Sequence, residues 1–105
     1  MSMLSFEETR ARALDGDPSA AYDVASLYAE GVGVQKDQKQ AVFFYNVASE
    51  EGHMLARFAL ATCYAKGQGV QRSLSLAHKW YKECANQGHL EACYNLARTY
   101  YKGKQ

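Results

Sequence analysis

The feature that most constrains this chain of 105 residues is an internal repeat with a period of 36 residues. When residues 20–55 are laid on residues 56–91, 12 of the 36 positions carry the same amino acid. Ordinary residue usage would give roughly two such coincidences by chance. A third copy starts at Ala92, and residues 4–15 match the second half of an earlier copy. A fixed period of this length indicates a repeat architecture, in which each unit buries its apolar face against its neighbours.

Each copy has the pattern of two helices separated by a glycine-containing turn. Asp17-Pro18 supplies an N-cap followed by proline at the first helical position. Gly31 is placed to end that helix as a left-handed residue, and Asp37, with a glutamine three residues later, resembles a capping box for the next one. Ser73 takes the place of Asp37 in the second copy. The periodicity therefore predicts no strand and six helices, near residues 4–15, 18–30, 38–50, 55–66, 73–87 and 91–102.

Small and aromatic residues recur at the positions expected to form the core. Repeated alanines let neighbouring helix axes approach closely, and the pairs Phe44-Tyr45 and Trp80-Tyr81 are expected to fill the space between layers. Trp80 in particular is expected to be mostly buried between the second and third layers. The predicted fold is an all-α solenoid of antiparallel helix pairs, with two full repeats and a helix at each end. Within the single domain 1–105, the predicted units are an N-terminal half-repeat 4–19, repeats 20–55 and 56–91, and a C-terminal half-repeat 92–105.

Composition narrows the classes of function and location. The formal net charge is +1 and 48% of the residues are hydrophobic, which argues against disorder and against a dedicated nucleic-acid surface. No apolar run approaches the roughly 18 residues that span a membrane, and the start lacks the basic and apolar regions of a secretory signal. Three cysteines, an odd number, favour a reducing compartment over a disulfide scaffold. We expect a cytoplasmic location, with the periplasm or secretion as alternatives.

The loop and second-helix motifs resemble a known family. Leu27-Tyr28-x-x-Gly31-x-Gly33-Val34 in the first copy and Tyr64-x-x-Gly67-x-Gly69-Val70 in the second are similar to the Sel-1-like repeat, as is Ala77-x-x-Trp80-Tyr81-Lys82. The 36-residue spacing separates this family from the 34-residue tetratricopeptide repeat. The resemblance covers residues 4–103 and implies a right-handed α-solenoid that acts as a scaffold or adaptor. It also implies no shared catalytic residues and no shared cofactor.

The resemblance to tetratricopeptide geometry also implies which residues face the concave groove. In such solenoids the first helix of each pair lines that face. Tyr22, Phe58 and Tyr94 recur at one period, and are either partly buried packing residues or an aromatic platform for a peptide. Asn95 and Arg98 could hold a carboxylate, the alternative being ordinary solvated charges. The predicted partner-binding residues are Tyr22, Asp23, Ser26, Phe58, Thr62, Lys66, Tyr94, Asn95, Arg98 and Lys102.

More specific chemistry has weak support in the sequence. Cys84, His89 and Cys93 lie close together, but a structural zinc site needs about four ligands. His89 repeats His53, which has no cysteine near it, so a role in the loop explains both histidines. A secreted branch of the resembled family implies a disulfide between Cys84 and Cys93, and two buried thiols are the other interpretation. Gly-x-Gly-Val follows a helix, unlike a phosphate-binding loop. We therefore predict no enzyme activity, no metal and no cofactor.

The function predicted from the sequence is that of an adaptor, scaffold or inhibitor. It would bind another protein or a peptide in the concave groove, and neither nucleic acid nor a membrane. The alternative is a structural assembly module, because the last predicted helix has no second helix to cover it. Such a module would form a homodimer through the C-terminal helix or would be a fragment of a longer solenoid.

Overall fold

The computed structural model describes residues 5–89 together with Glu91 and Asn95. Within them the chain forms five helices: α1 (Phe6–Leu14), α2 (Pro18–Glu30), α3 (Gln38–Glu50), α4 (Met54–Lys66) and α5 (Leu74–Asn86). Their bounds agree with the predicted ones to within two residues at each end, and this part of the chain contains no strand. Glu91 and Asn95 are helical. The rest of the predicted sixth helix lies outside the described residues.

The helices begin and end at the residues that the sequence marks. The Asp17 carboxylate accepts the backbone N–H groups of residues 19 and 20 at 3.0 and 3.2 Å, and Pro18 occupies the first turn of α2. The side chains of Asp37 and Ser73 each accept a backbone N–H three residues later, both at 3.2 Å. Gly31 ends α2 in the left-handed conformation, with φ of 71°. The predicted caps and the glycine stop are therefore confirmed.

The two Gly-x-Gly-Val loops have the same backbone path but different surroundings. Gly33 and Gly69 have φ of 72° and 74°, and in each loop the residue before the next helix donates its N–H to the carbonyl of Tyr28 or Tyr64 at 2.9 Å. Nothing lies within 4 Å of the place where a Cβ on Gly33 would be. A Cβ on Gly69 would instead collide with the Gln38 carbonyl group, whose carbon would be 2.6 Å away. The second loop thus packs directly on the start of α3.

Consecutive helices pack against one another to form a layered core. Helix α2 packs on α3 and α4 on α5, while the contacts of α1 with α2 and of α3 with α4 join the layers. Ala25 and Ala61 are fully buried at the same position of successive first helices, as are Ala41 and Ala77 in the second helices, so small side chains allow the close approach that the repeat predicts. The extents of 47 × 26 × 21 Å are those of an elongated stack. The all-α solenoid is confirmed.

Trp80 is less buried than the sequence led us to expect. Its counterpart one period earlier, Phe44, is fully buried, whereas Trp80 is partly buried and packs against the edges of both core clusters. The guanidinium carbon of Arg57 lies 5.9 Å from the indole centroid and the ammonium nitrogen of Lys79 5.7 Å from it. The charged groups of two cationic side chains therefore lie over the partly exposed indole.

Candidate partner-binding groove

The first helices α2 and α4 border an open groove with a volume of about 510 Å³, which we call the first-helix groove. Aromatic rings line much of its length, and a lysine, a glutamate and amide side chains stand among them. Its surface therefore has the mixture of apolar area and placed polar groups that is typical of binding sites. The lining residues are Tyr22, Ala29, Lys36, Gln38, Tyr45, Leu55, Phe58, Ala59, Thr62, Cys63, Gln68, His89 and Glu91.

A ring stacked on an imidazole occurs twice, one repeat apart. Tyr22 on α2 stacks on His53, with centroids 4.8 Å apart and planes 19° from parallel. Phe58 on α4 stacks on His89 at 4.8 Å and 28°. Both rings are partly buried, and both line the first-helix groove. The two interpretations of these aromatic residues are thus compatible, since one part of each ring packs and another part faces the groove.

His53 holds its position because it caps α4. Its Nδ1 accepts the backbone N–H of Ala56 at 3.2 Å, which satisfies one of the unpaired donors at the start of the helix. Asp17 occupies the same place in the preceding repeat and caps α2 in the same way. Sequence reasoning assigned the histidine to the loop and missed the cap. The available signal was that His53 aligns with Asp17, an N-cap that the sequence does predict.

Hydroxyl groups of the two helices of each repeat are paired. Ser26 Oγ and the Tyr45 phenol oxygen are 3.4 Å apart, and the equivalent pair, Thr62 and Tyr81, is 2.8 Å apart. Thr62 also donates to the carbonyl of Phe58 at 3.1 Å, and because a hydroxyl has one hydrogen, it accepts from Tyr81. Burial raises the pKa of Tyr45, and the hydrogen bond with Ser26 opposes that rise. The phenol therefore stays protonated at neutral pH.

The other predicted site residues are distributed around the first-helix groove. Asp23 is exposed and lines a second depression of about 570 Å³, which Tyr22 and Ser26 also line. Lys66 is exposed at the end of α4, outside the lining of the groove. Asn95 is helical and partly buried. The remaining three, Tyr94, Arg98 and Lys102, lie outside the described residues.

Several lining residues were not predicted from the sequence. The prediction covered one face of each first helix, and these residues lie elsewhere. Lys36 and Gln68 belong to the loops after α2 and α4, and Leu55, at the start of α4, keeps 44% of its surface exposed. Gln38, the first residue of α3, donates its amide to the Ala29 carbonyl at 3.3 Å. The lining of the groove therefore includes the loops after α2 and α4 and the first residues of α3 and α4.

The cysteines of the described part are free thiols. Cys63 lines the first-helix groove with only 5% of its surface exposed, and burial raises the pKa of its thiol. Cys84 is fully buried, and its sulfur lies 3.7 Å from the carbonyl oxygen of Met54. Burial raises the pKa of Cys84 as well. Of the two interpretations of Cys84, the buried thiol is the one that the structure bears out, while Cys93 lies outside the described residues.

Comparison with known proteins identifies the repeat. The Sel1 repeat model matches residues 18–53, 55–89 and 90–105. The chain belongs to the Sel1 repeat family. Proteins of this family generally mediate protein–protein interactions, and the repeat is a non-catalytic interaction fold. No curated protein sequence matches the chain significantly.

Solved structures support the assignment to the Sel1 repeat family. A Sel1 repeat protein from Oxalobacter formigenes is 34% identical with a TM-score of 0.83, over 88% of this chain and 69% of that one. The antigen c5321 of uropathogenic Escherichia coli, described as a protective antigen displaying an SLR fold, is 31% identical with a TM-score of 0.89 over 93% of this chain. This chain spans only 21% of that antigen.

A more distant structure shares the fold alone. Cysteine rich protein B of Helicobacter pylori is 21% identical with a TM-score of 0.79, over 87% of this chain and 68% of that one.

Among residues 5–89, 91 and 95, no helix is both long and apolar enough to cross a membrane.

Proposed function

We propose that this Sel1 repeat chain binds a partner protein or peptide in the first-helix groove and acts as an adaptor, scaffold or inhibitor. The observation that carries the proposal is the repeated pair of a ring and an imidazole, Tyr22 with His53 and Phe58 with His89, along one open groove. Rings fixed by such packing offer contact area at a small cost in conformational entropy. Aromatic residues are also frequent anchors of protein interfaces.

The proposed binding residues extend beyond these rings. Tyr94, Arg98 and Lys102 belong to them as the third-repeat counterparts of residues on α2 and α4, and Asn95 as the counterpart of Asp23. Asp23 and Lys66 are exposed charges, and in the proposed site they would contribute to the orientation and rate of association. The division of the chain into half-repeats and repeats stays a prediction.

Selection of peptides from a random display library against the immobilised chain tests the proposal. A selected peptide should lose at least about tenfold in affinity for Phe58→Ala, measured where circular dichroism shows that the variant keeps the helical content of the parent chain, because a central aromatic anchor contributes ~1.4 kcal/mol or more. Lys82→Ala is the matched control, since Lys82 is exposed on α5 and lies outside the groove lining. Equal affinity of both variants and the parent chain would show that the partner uses another surface.

Arg98→Glu tests the proposed charged edge. This reversal should weaken binding of a selected acidic peptide, because it replaces an attractive charge with a repulsive one. Unchanged affinity in Arg98→Glu would remove Arg98 from the site without affecting the assignment of the rings.

Self-association through the last helix is the competing outcome. The residues at that edge of the last helix lie outside the described part of the chain. The mass of the protein in solution therefore shows whether it self-associates. A dimer that persists in Phe58→Ala and dissociates when one further second helix is appended would assign that edge, and not the groove, as the interface.

We also propose a cytoplasmic location, because free buried thiols such as Cys63 and Cys84 suit a reducing compartment. We expect Cys63 and Cys84 both to be free thiols in protein that is purified from its native compartment without reductant.

A further inference from the structure

We propose that the partner segment presents a lysine or arginine to the second depression, between α1 and α2, and an apolar side chain to the first-helix groove. This inference rests on the proposed function, because it names the chemistry of the partner at the same surface. The second depression has a volume of about 570 Å³, and we call it the α1–α2 depression. Residues of these two helices line it, together with Asp17 between them.

The α1–α2 depression and the first-helix groove are the same site on successive repeats. Tyr22 lines both of them. Six of the nine residues that line the α1–α2 depression have a counterpart 36 positions later that lines the groove. The six are Thr9, Ser19, Tyr22, Asp23, Ser26 and Leu27. A segment that follows the groove past Tyr22 would therefore enter the α1–α2 depression.

The two sites keep an aromatic ring but differ in the side chains beside it. Leu55 and Ala59 line the groove, whereas Ser19 and Asp23 stand at the same positions of the α1–α2 depression. An apolar side chain of the partner suits the groove, because it buries apolar surface there. The α1–α2 depression instead needs a polar group of the partner that can pair with a carboxylate and a hydroxyl.

Asp23 supplies an exposed carboxylate that no described cation neutralises. Within the described part of the chain the only ion pair joins Arg57 to Glu83, at 3.7 Å. Arg12 is exposed and lines the same depression, but it does not pair with Asp23. The other carboxylate of the lining, Asp17, uses one oxygen to cap α2. An unpaired carboxylate beside a tyrosine ring suits a lysine or arginine side chain, which both groups attract.

The distribution of charge along the chain favours the same sign. Residues 5–53 contain nine aspartates and glutamates against four lysines and arginines, while residues 54–105 contain two against eight. The first repeat is therefore acidic, although Arg12 stands in the lining. The described charges of the groove lining, Lys36 and Glu91, have opposite signs. Charge complementarity thus favours a segment with its basic residue over the first repeat and, where it reaches Arg98, an acidic one.

The test is selection from a random peptide display library against the parent chain, Asp23→Lys and Glu50→Lys. Both substitutions change the net charge equally, and Glu50 is exposed outside the linings of the two sites. Peptides selected on the parent chain should be enriched in lysine and arginine over the unselected library. The enrichment should disappear with Asp23→Lys and persist with Glu50→Lys, because only the first substitution alters the α1–α2 depression.

Fluorescence polarisation with one selected peptide then measures the coupling at each site. Replacing its basic residue with alanine should weaken binding to the parent chain at least about threefold and should have no further effect on Asp23→Ala. Replacing its apolar residue should weaken binding to the parent chain more than binding to Leu55→Ala. These cycles isolate the paired contacts. Asp23 and Leu55 are exposed, so circular dichroism should show the helical content of the parent chain in each variant.

The outcomes separate this inference from the proposed function. Selected peptides without enriched basic residues, enrichment lost equally in Glu50→Lys, or no coupling with Asp23 would each overturn it. Coupling with Asp23 but none with Leu55 would confine the occupant to the α1–α2 depression and overturn it as well. If the selected peptides nevertheless depend on Phe58, the groove function stands and this inference alone fails. Peptides that are insensitive to both Phe58→Ala and Asp23→Ala would refute both proposals.

Discussion

Substituting alanine for each of the second glycines of the two Gly-x-Gly-Val loops measures the contact between layers. Gly33 and Gly69 have nearly the same φ, 72° and 74°, so Gly33→Ala and Gly69→Ala share the cost of a side chain in the left-handed region, about 1–2 kcal/mol. At Gly69 the new Cβ also collides with the Gln38 carbonyl group and lies 3.0 Å from a Val42 methyl carbon. Favourable carbon contacts lie at about 3.5–4.0 Å.

The collision predicts a measurable difference between the two variants. Overpacking of this kind typically costs about 1–3 kcal/mol, so we expect a loss of about 1–2 kcal/mol for Gly33→Ala and about 2–5 kcal/mol for Gly69→Ala. A domain of this length has about 5–15 kcal/mol of stability, so Gly33→Ala should fold, and Gly69→Ala should fold when the parent chain has more than about 5 kcal/mol. Urea unfolding followed by circular dichroism gives the free energy of unfolding of each variant, provided that its slope against urea concentration equals that of the parent chain. Equal losses would refute the proposed packing of the second loop on α3.

Three further predictions follow from single contacts. His53→Ala should destabilise the chain by about 1 kcal/mol, and His53→Asn by less, because asparagine can cap α4; thermal melts of the two variants compare them. Phe44→Ala should cost about 3–5 kcal/mol in urea unfolding, and Trp80→Ala less, because Trp80 is only partly buried. Equal losses would contradict this order. Burial raises the pKa of Tyr45, so the folded chain holds the phenolic proton more tightly than the unfolded chain does. Its contribution to stability is therefore present below about pH 10 and is lost as pH rises through the folded-state pKa. Tyr45→Phe should accordingly lose less stability than the parent chain between neutral and strongly alkaline pH.

The fold was predictable because local signals and the repeat agree. Asp17, Asp37 and Ser73 cap the helices that follow them, and the glycine at position 31 ends α2. These effects act within a few residues, so they can be inferred from sequence. The exposure of Trp80 could not be inferred, because it depends on how far a large ring extends past the layer and on which cations cover it.

The candidate site was only partly predictable, because the groove combines residues that are distant in sequence. The resemblance to tetratricopeptide geometry implied which faces of α2 and α4 border the groove. Tyr22, Phe58 and Thr62 do line it, and their role in binding stays a prediction. The stack of Tyr22 on His53 joins the start of one helix to the middle of another. Its geometry depends on the packing of the two layers, which the repeat period alone does not specify.

Packing and the proposed recognition involve the same residues of this groove, and this constrains how its variants must be interpreted. Tyr22 packs on His53 at 4.8 Å and on Tyr45 at 5.9 Å, and it also lines the groove. Removing that ring would lower stability and binding together, so a lost affinity alone would not identify a contact with the partner. Leu55 lines the same groove with 44% of its surface exposed. Its substitution would change the proposed binding surface with little effect on the core, so a variant at Leu55 separates recognition from folding.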